Sequence, residues 1–260
     1  MDYFAKSAGT EIEYPGDLAA GARGAGARRL QEWLSLRGAP TAIDGGFGDA
    51  TSAALDAFRS RNGLASAPSL NVKTWNRLVE PMASLITPAI QIGARDTLST
   101  VVLKVARAHL KAHPVEVGGD NRGPWVRAYM SGNDGSDWLW CAGFVTAIVA
   151  QAASLLGTAT PTPRTFSCDS LAKDAQQNGR FVRGATFGND ANAWDLMGPC
   201  CVFVVRRTSN DWTHTGFAYN ASGTVFETIE GNTNDGGSPN GFEVTTRHRS
   251  ISAKDFVRLD

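Results

Sequence analysis

The order of its periodicities constrains this chain most: helical spacing prevails up to about residue 178, and strand-length runs prevail after residue 200. Apolar residues recur at helical intervals in Ala25–Arg37 (Leu30, Trp33, Leu34, Leu36), around Ala54, Leu55 and Phe58, and in Val72–Val79. The same spacing returns in Thr97–Lys111 (Leu98, Val101, Val102, Val105, Ala106), Trp125–Met130 and Ser167–Asn178. Strand-like runs then follow at about 200–206, 213–220, 223–230, 242–247 and 255–259. Helices first and antiparallel strands after them specify an α+β class, with helices packed on an antiparallel sheet.

Proline and glycine punctuate the chain. Residues 1–22, broken by Pro15 and Gly16, read as an irregular N-terminal segment. Residues 23–80 read as a small unit of three short helices, the third ended by Pro81. Residues 81–96, with Pro88 and Gly93, read as a linker, and 97–260 as a larger mixed domain. With 260 residues, 42% of them apolar and 19% charged, the chain can bury a core. A formal net charge of zero supplies no basic face for nucleic acid. No apolar run approaches the ~18 residues of a membrane helix, so no membrane insertion is expected. The first thirty residues hold no basic stretch followed by an apolar core, so no secretory signal is expected and the chain is read as made in the cytoplasm.

The chemistry centres on Trp140-Cys141-Ala142, which is followed by the apolar run Gly143–Val149. That pattern sets the Cys141 sulfur near a helix N-terminus, where free N–H groups and the helix dipole favour the nucleophilic thiolate. A base is available at His214, in the strand-like Asp211–Tyr219, and a carboxylate at Glu230, at the end of Thr224–Glu230. Asn220-Ala221-Ser222-Gly223 between the two runs signals a hairpin, whose strands lie ~4.8 Å apart. Cys141, His214 and either Glu230 or Asn232 then match nucleophile, base and orienting group. Among the nearby tryptophans, Trp140 and Trp212 are expected beside the cleft, in contact with substrate.

Other titratable residues read more plainly. Cys168, Cys200 and Cys201 complete the set of cysteines, with no CxxC spacing for structural zinc; free thiols are expected, with Cys168 structural. His109 and His113 share i, i+4 spacing but lack a third ligand and precede Pro114, so they are placed at a helix end on the surface. His248 reads as solvated. The loop Asn133, Asp134, Ser136, Asp137 is rich in oxygen but lacks the dense alternation of a calcium loop, so a turn or capping role is expected there. No metal or cofactor is expected.

Both halves resemble known families. Residues 20–80 resemble the three-helix peptidoglycan-binding domain, through Leu30-Gln31, Trp33-Leu34, Asp44-Gly45-Gly46-Phe47-Gly48-Asp49-Ala50-Thr51, Ala54, Phe58 and Gly63-Leu64. In that unit the glycines make a tight turn, Phe47 plugs the core, and Asp49 or Thr51 caps the next helix. Residues 97–260 resemble the CHAP family (cysteine, histidine-dependent amidohydrolase/peptidase), which is papain-like in arrangement. Trp140-Cys141-Ala142-Gly143-Phe144-Val145 matches its nucleophile motif, His214-Thr215-Gly216 its histidine strand, and Glu230-Gly231-Asn232 its orienting residues. Where the family often has Pro-Gly-Asp before the histidine strand, this chain has Gly198-Pro199-Cys200. The resemblance implies peptidoglycan as substrate and cleavage of the muramoyl–L-alanine amide or of a stem or cross-bridge peptide bond. Without a leader, such a hydrolase would act in the periplasm or wall as a phage endolysin released through a holin, or as an injected effector paired with an immunity or inhibitor protein. The alternative is a non-catalytic wall-binding protein with a decayed hydrolase half.

Overall fold

The computed structural model describes residues 2–189, 193–234 and 241–260. Helix α1 spans Tyr3–Ile12, α2 Ala25–Leu36, α3 Asp49–Arg61, α4 Val72–Ile86, α5 Leu98–Ala112, α6 Pro124–Tyr129, α7 Cys141–Leu156, α8 Cys168–Gln177 and α9 Ala185–Asn189. The strands are β1 Phe181–Arg183, β2 Cys200–Thr208, β3 Asp211–Ser222, β4 Val225–Thr233, β5 Glu243–Ser250 and β6 Lys254–Val257. They form one antiparallel sheet in the order β1-β6-β2-β3-β4-β5. Helices pack onto it, and the chain is α+β. Helix α7 is apolar nearly all round, buried from Cys141 to Ala153, and lies against β3 and β4. No helix among the described residues is long and apolar enough to cross a membrane.

Three expectations about the elements need correction. Residues 3–12 form a helix rather than irregular chain. Asp2 caps it by accepting from the Ala5 N–H at 2.9 Å, and Phe4, Ala8 and Glu11 share its buried face. That face packs on α4, α6 and α7, with the Phe4 ring 4.6 Å from that of His109. Second, Pro81 lies inside α4 instead of ending it. An interior proline costs about 3 kcal/mol. Burial of Met82 and Leu85 beyond it, at about 1.5–3 kcal/mol each, offsets that cost. Third, α3 begins without a side-chain cap; Gly48 holds the cap position and neither Asp49 nor Thr51 fills it. Phe47 is buried as expected, at 2% exposure.

Gln31 on α2 organises the glycine-rich turn before α3. Its Nε2 donates to Asp44 Oδ1 and the Gly46 carbonyl, both at 2.9 Å, and its Oε1 accepts from the Gly45 N–H at 2.8 Å.

Candidate active site

Cys141 is the first residue of α7, behind Trp140 as N-cap, which makes no side-chain capping bond. The free N–H groups of that first turn and the aligned helix dipole favour negative charge on the sulfur. Trp140 anchors this end of the helix: its indole stacks on Tyr129 at 5.6 Å and donates from Nε1 to Glu116 Oε1 at 2.8 Å.

His214 sits on β3 opposite Val205 of β2. One step beyond the paired Phe217 and Ile229, Gly216 meets Glu230 of β4. A Cβ on Gly216 would lie 2.8 Å from Glu230 Cγ. Its absence lets the carboxylate cross to the next residue on the same face, His214, where Oε2 lies 2.8 Å from Nε2. Gly231 gives α7 a similar close approach to β4. A Cβ there would meet Phe144 at 2.8 Å and Trp140 at 2.9 Å. The glycines in the His-Thr-Gly and Glu-Gly-Asn motifs are thus steric requirements of the site.

Glu230 is fully buried and surrounded by donors. Arg249 of β5 reaches it through Nε to Oε1 at 2.5 Å and through Nη2 to Oε2 at 2.6 Å, and Thr228 Oγ1 donates to Oε1 at 2.6 Å. Burial alone would raise the carboxyl, but Arg249 and His214 hold it down at about 2. Burial would likewise lower His214, yet Cys141 and Glu230 outweigh it and raise the imidazole to about 9. Nδ1 of His214 is buried with no conventional hydrogen-bond partner among the described residues, and the charge the imidazole answers to on that side is that of Cys141. The Cys141 thiol is held well below its ordinary range, by the Cys168 hydrogen bond first, then, against burial, by His214 and the Ala142 N–H. These shifts favour a charge-alternating row of thiolate, imidazolium and carboxylate. Cys141 and His214 keep only 5% and 8% of their surface exposed.

Asn232 is brought into the same strand end but makes no bond to His214. It is 1% exposed, adopts φ +57°, and finds no partner for Oδ1 or Nδ2 among the described residues.

No family model matches the chain, and no curated protein matches it.

Several site expectations change. Trp140 and Trp212 offer no face to a substrate: they are 0% and 4% exposed, and each indole N–H is spent on a carboxylate, half-buried Glu116 for one and buried Asp255 at 3.0 Å for the other. They position the start of α7 and the strand β3. His109 is a core residue, fully buried between Tyr129 Oη at 2.8 Å and Gln151 Oε1 at 2.9 Å. Because Gln151 presents its carbonyl oxygen, Nε2 carries the proton and Nδ1 accepts from Tyr129. Burial keeps this imidazole neutral down to about 4. His113, by contrast, is exposed, with Nε2 2.8 Å from Glu243 Oε2. Asp134 of the oxygen-rich loop faces Arg127 at 2.9 Å. Among the described residues no cluster of three or more His, Cys, Asp or Glu side chains could hold a metal ion.

Two neighbours of the site went unread in the sequence. Arg249 shares a strand face with Arg247, opposite to the exposed His248, and a cation alternating in a strand beside one that ends in a buried glutamate was the available signal. Cys168, the first residue of α8, lies with its Sγ 3.7 Å from that of Cys141. Local sequence pattern carries no sign of that contact.

Proposed function

We propose that the chain is a cysteine-dependent peptidoglycan amidohydrolase, cutting either the muramoyl–L-alanine amide or a bond of the stem or cross-bridge peptide. The observation that carries this reading is the His214–Glu230 pair beside a thiol whose ionisation its surroundings favour. Cys141 attacks the amide carbonyl, and the backbone N–H groups at the start of α7 face the developing oxyanion; a donor of that kind is typically worth ~3 kcal/mol. His214 protonates the leaving amine, then takes a proton from the water that releases the thioester. Glu230 holds the imidazole through Nε2, leaving Nδ1 for the sulfur and the leaving group.

Peptidoglycan as the polymer is supported by the resemblance of residues 20–80 to a wall-binding module. A module of that kind raises the local concentration of substrate around a surface-acting hydrolase. The intact thiolate–imidazolium–carboxylate set favours a working enzyme over a decayed wall-binding protein. Action in the periplasm or wall, after holin release or by injection, fits this reading, and an injected form would be matched by an inhibitor protein.

The test is digestion of purified peptidoglycan followed by mass spectrometry of the fragments. Unsubstituted chain is expected to release them, with Cys141→Ala and His214→Ala reduced to background. A new free N-terminal L-alanine identifies an amidase, and a new amine further along the stem identifies an endopeptidase. Undiminished release by Cys141→Ala would sink the proposal.

A further inference from the structure

The mechanism above uses one of two thiols that face each other. Cys141 opens α7 and Cys168 opens α8, with sulfurs 3.7 Å apart and no disulfide between them. Both side chains are tied to the site by their elements. Ser167 caps α8 by accepting from the Ser170 N–H at 3.2 Å, and Asp169 Oδ1 accepts from the Trp212 N–H of the histidine strand at 2.7 Å. A disulfide needs the sulfurs at about 2.05 Å, so closure asks for a movement of about 1.6 Å, within reach of side-chain rotation at two adjacent helix ends.

We propose that Cys141 and Cys168 form a modification site for low-molecular-weight disulfides, in which Cys168 resolves the adduct first formed on Cys141. The Cys141 thiolate attacks one sulfur of the small disulfide, forming a mixed disulfide and expelling the other half as its thiolate. Cys168 then gives up its proton and attacks the Cys141 sulfur. The Cys141–Cys168 bond forms, the second half leaves as a thiol, and the two protein thiols are oxidised as one small disulfide is reduced to two thiols. The division of labour follows from the local electrostatics. Cys141 is the ionised partner and reacts first, while Cys168, pushed up by Cys141 and by burial, waits as a thiol until the negative charge on Cys141 is gone. Cys200 and Cys201 are excluded from this chemistry: they are neighbours on one strand, 1% and 2% exposed. The covalent step stands apart from the function proposed above. Its consequence, loss of the nucleophile in oxidising surroundings and recovery in reducing ones, rests on the function proposed above.

The experiment uses the full chain with oxidised glutathione as the probe, followed by denaturation, alkylation and a peptide map. Only Cys200 and Cys201 are expected to take the alkyl label, with a peptide pair joined through Cys141 and Cys168; dithiothreitol should return all four thiols. Cys168→Ser is expected to keep glutathione on Cys141. A stable glutathione adduct on Cys141 of the unsubstituted chain, or four alkylated cysteines after exposure to the oxidant, would overturn the proposal. The map is read without substrate, so it is separate from the hydrolysis assay. If the reduced chain released no fragments from peptidoglycan, the functional reading would fall and the thiol pair would stand.

Discussion

Glu230 is a buried carboxylate whose neighbours can be removed one at a time. Arg249→Met takes away the two-pronged cation and leaves a buried charge with His214 and Thr228. Breaking a buried pair in this way is expected to cost about 3–5 kcal/mol, measured by urea unfolding. Arg249→Lys, which restores charge but not the fork, should fall between. The pH profile tests the row of charges directly. Activity should rise from the acid side as Cys141 ionises. Because His214 is raised to about 9 from an ordinary 6.5, the proton it must deliver persists to that pH, and activity should fall only above it. A basic limb near 6.5 in kcat/KM would contradict the ion pair. Cys141, His214 and Glu230 were legible in the sequence because each sits in a short motif on a periodic element. Cys168 and Arg249 were not, because their roles come from contacts 27 and 19 residues away that local pattern does not encode.

Among the elements, the hairpin and the nucleophile helix set the distances. Gly216→Ala would put a methyl 2.8 Å from both Glu230 Cγ and Phe203 Cε1, an overpacking worth about 1–3 kcal/mol. Hydrolysis should fall further than stability alone explains, since the displaced group is the carboxylate on His214. Gly9→Ala is the control: it lies inside α1 with nothing within 4 Å of the new Cβ and should stabilise by about 0.5–1 kcal/mol, read as a higher Tm. Periodicity located α2, α5, α8 and the long strands to within a few residues. It missed α1, whose sequence YFAKSAGTEI spreads a thin apolar face among small and polar residues. It also misjudged His109, although Leu98, Val101, Val102 and Val105 mark the same stripe, because Pro114 close behind it suggested an exposed helix end.

Across the whole molecule, polar links and a shared core fasten the helices before residue 87 to the rest. Arg127 of α6 pairs with Glu11 of α1 at 2.8 Å, Glu32 of α2 at 2.6 Å and Asp134 at 2.9 Å. A relay runs from Tyr129 through His109 to Gln151, whose Nε2 donates to the Leu85 carbonyl of α4 at 2.7 Å. Arg127→Met is expected to cost about 3–5 kcal/mol, since it strands Glu11 and Glu32 at 8% and 2% side-chain exposure. Arg28→Met, whose own side chain is 43% exposed in its pair with Glu32, should cost within about 1 kcal/mol. Calorimetry of the two variants makes the comparison, and equal losses would count against the buried cluster. Such links were beyond sequence reading, which took residues 81–96 for a linker where α4 instead continues to Ile86. For a hydrolase of the kind proposed, the fastening changes what the small helical unit does. A hook on a string would let the sulfur search freely along a polymer. Two surfaces clamped in one body would instead act as the jaws of a caliper, selecting the bonds that lie one fixed span from wherever the strand is gripped.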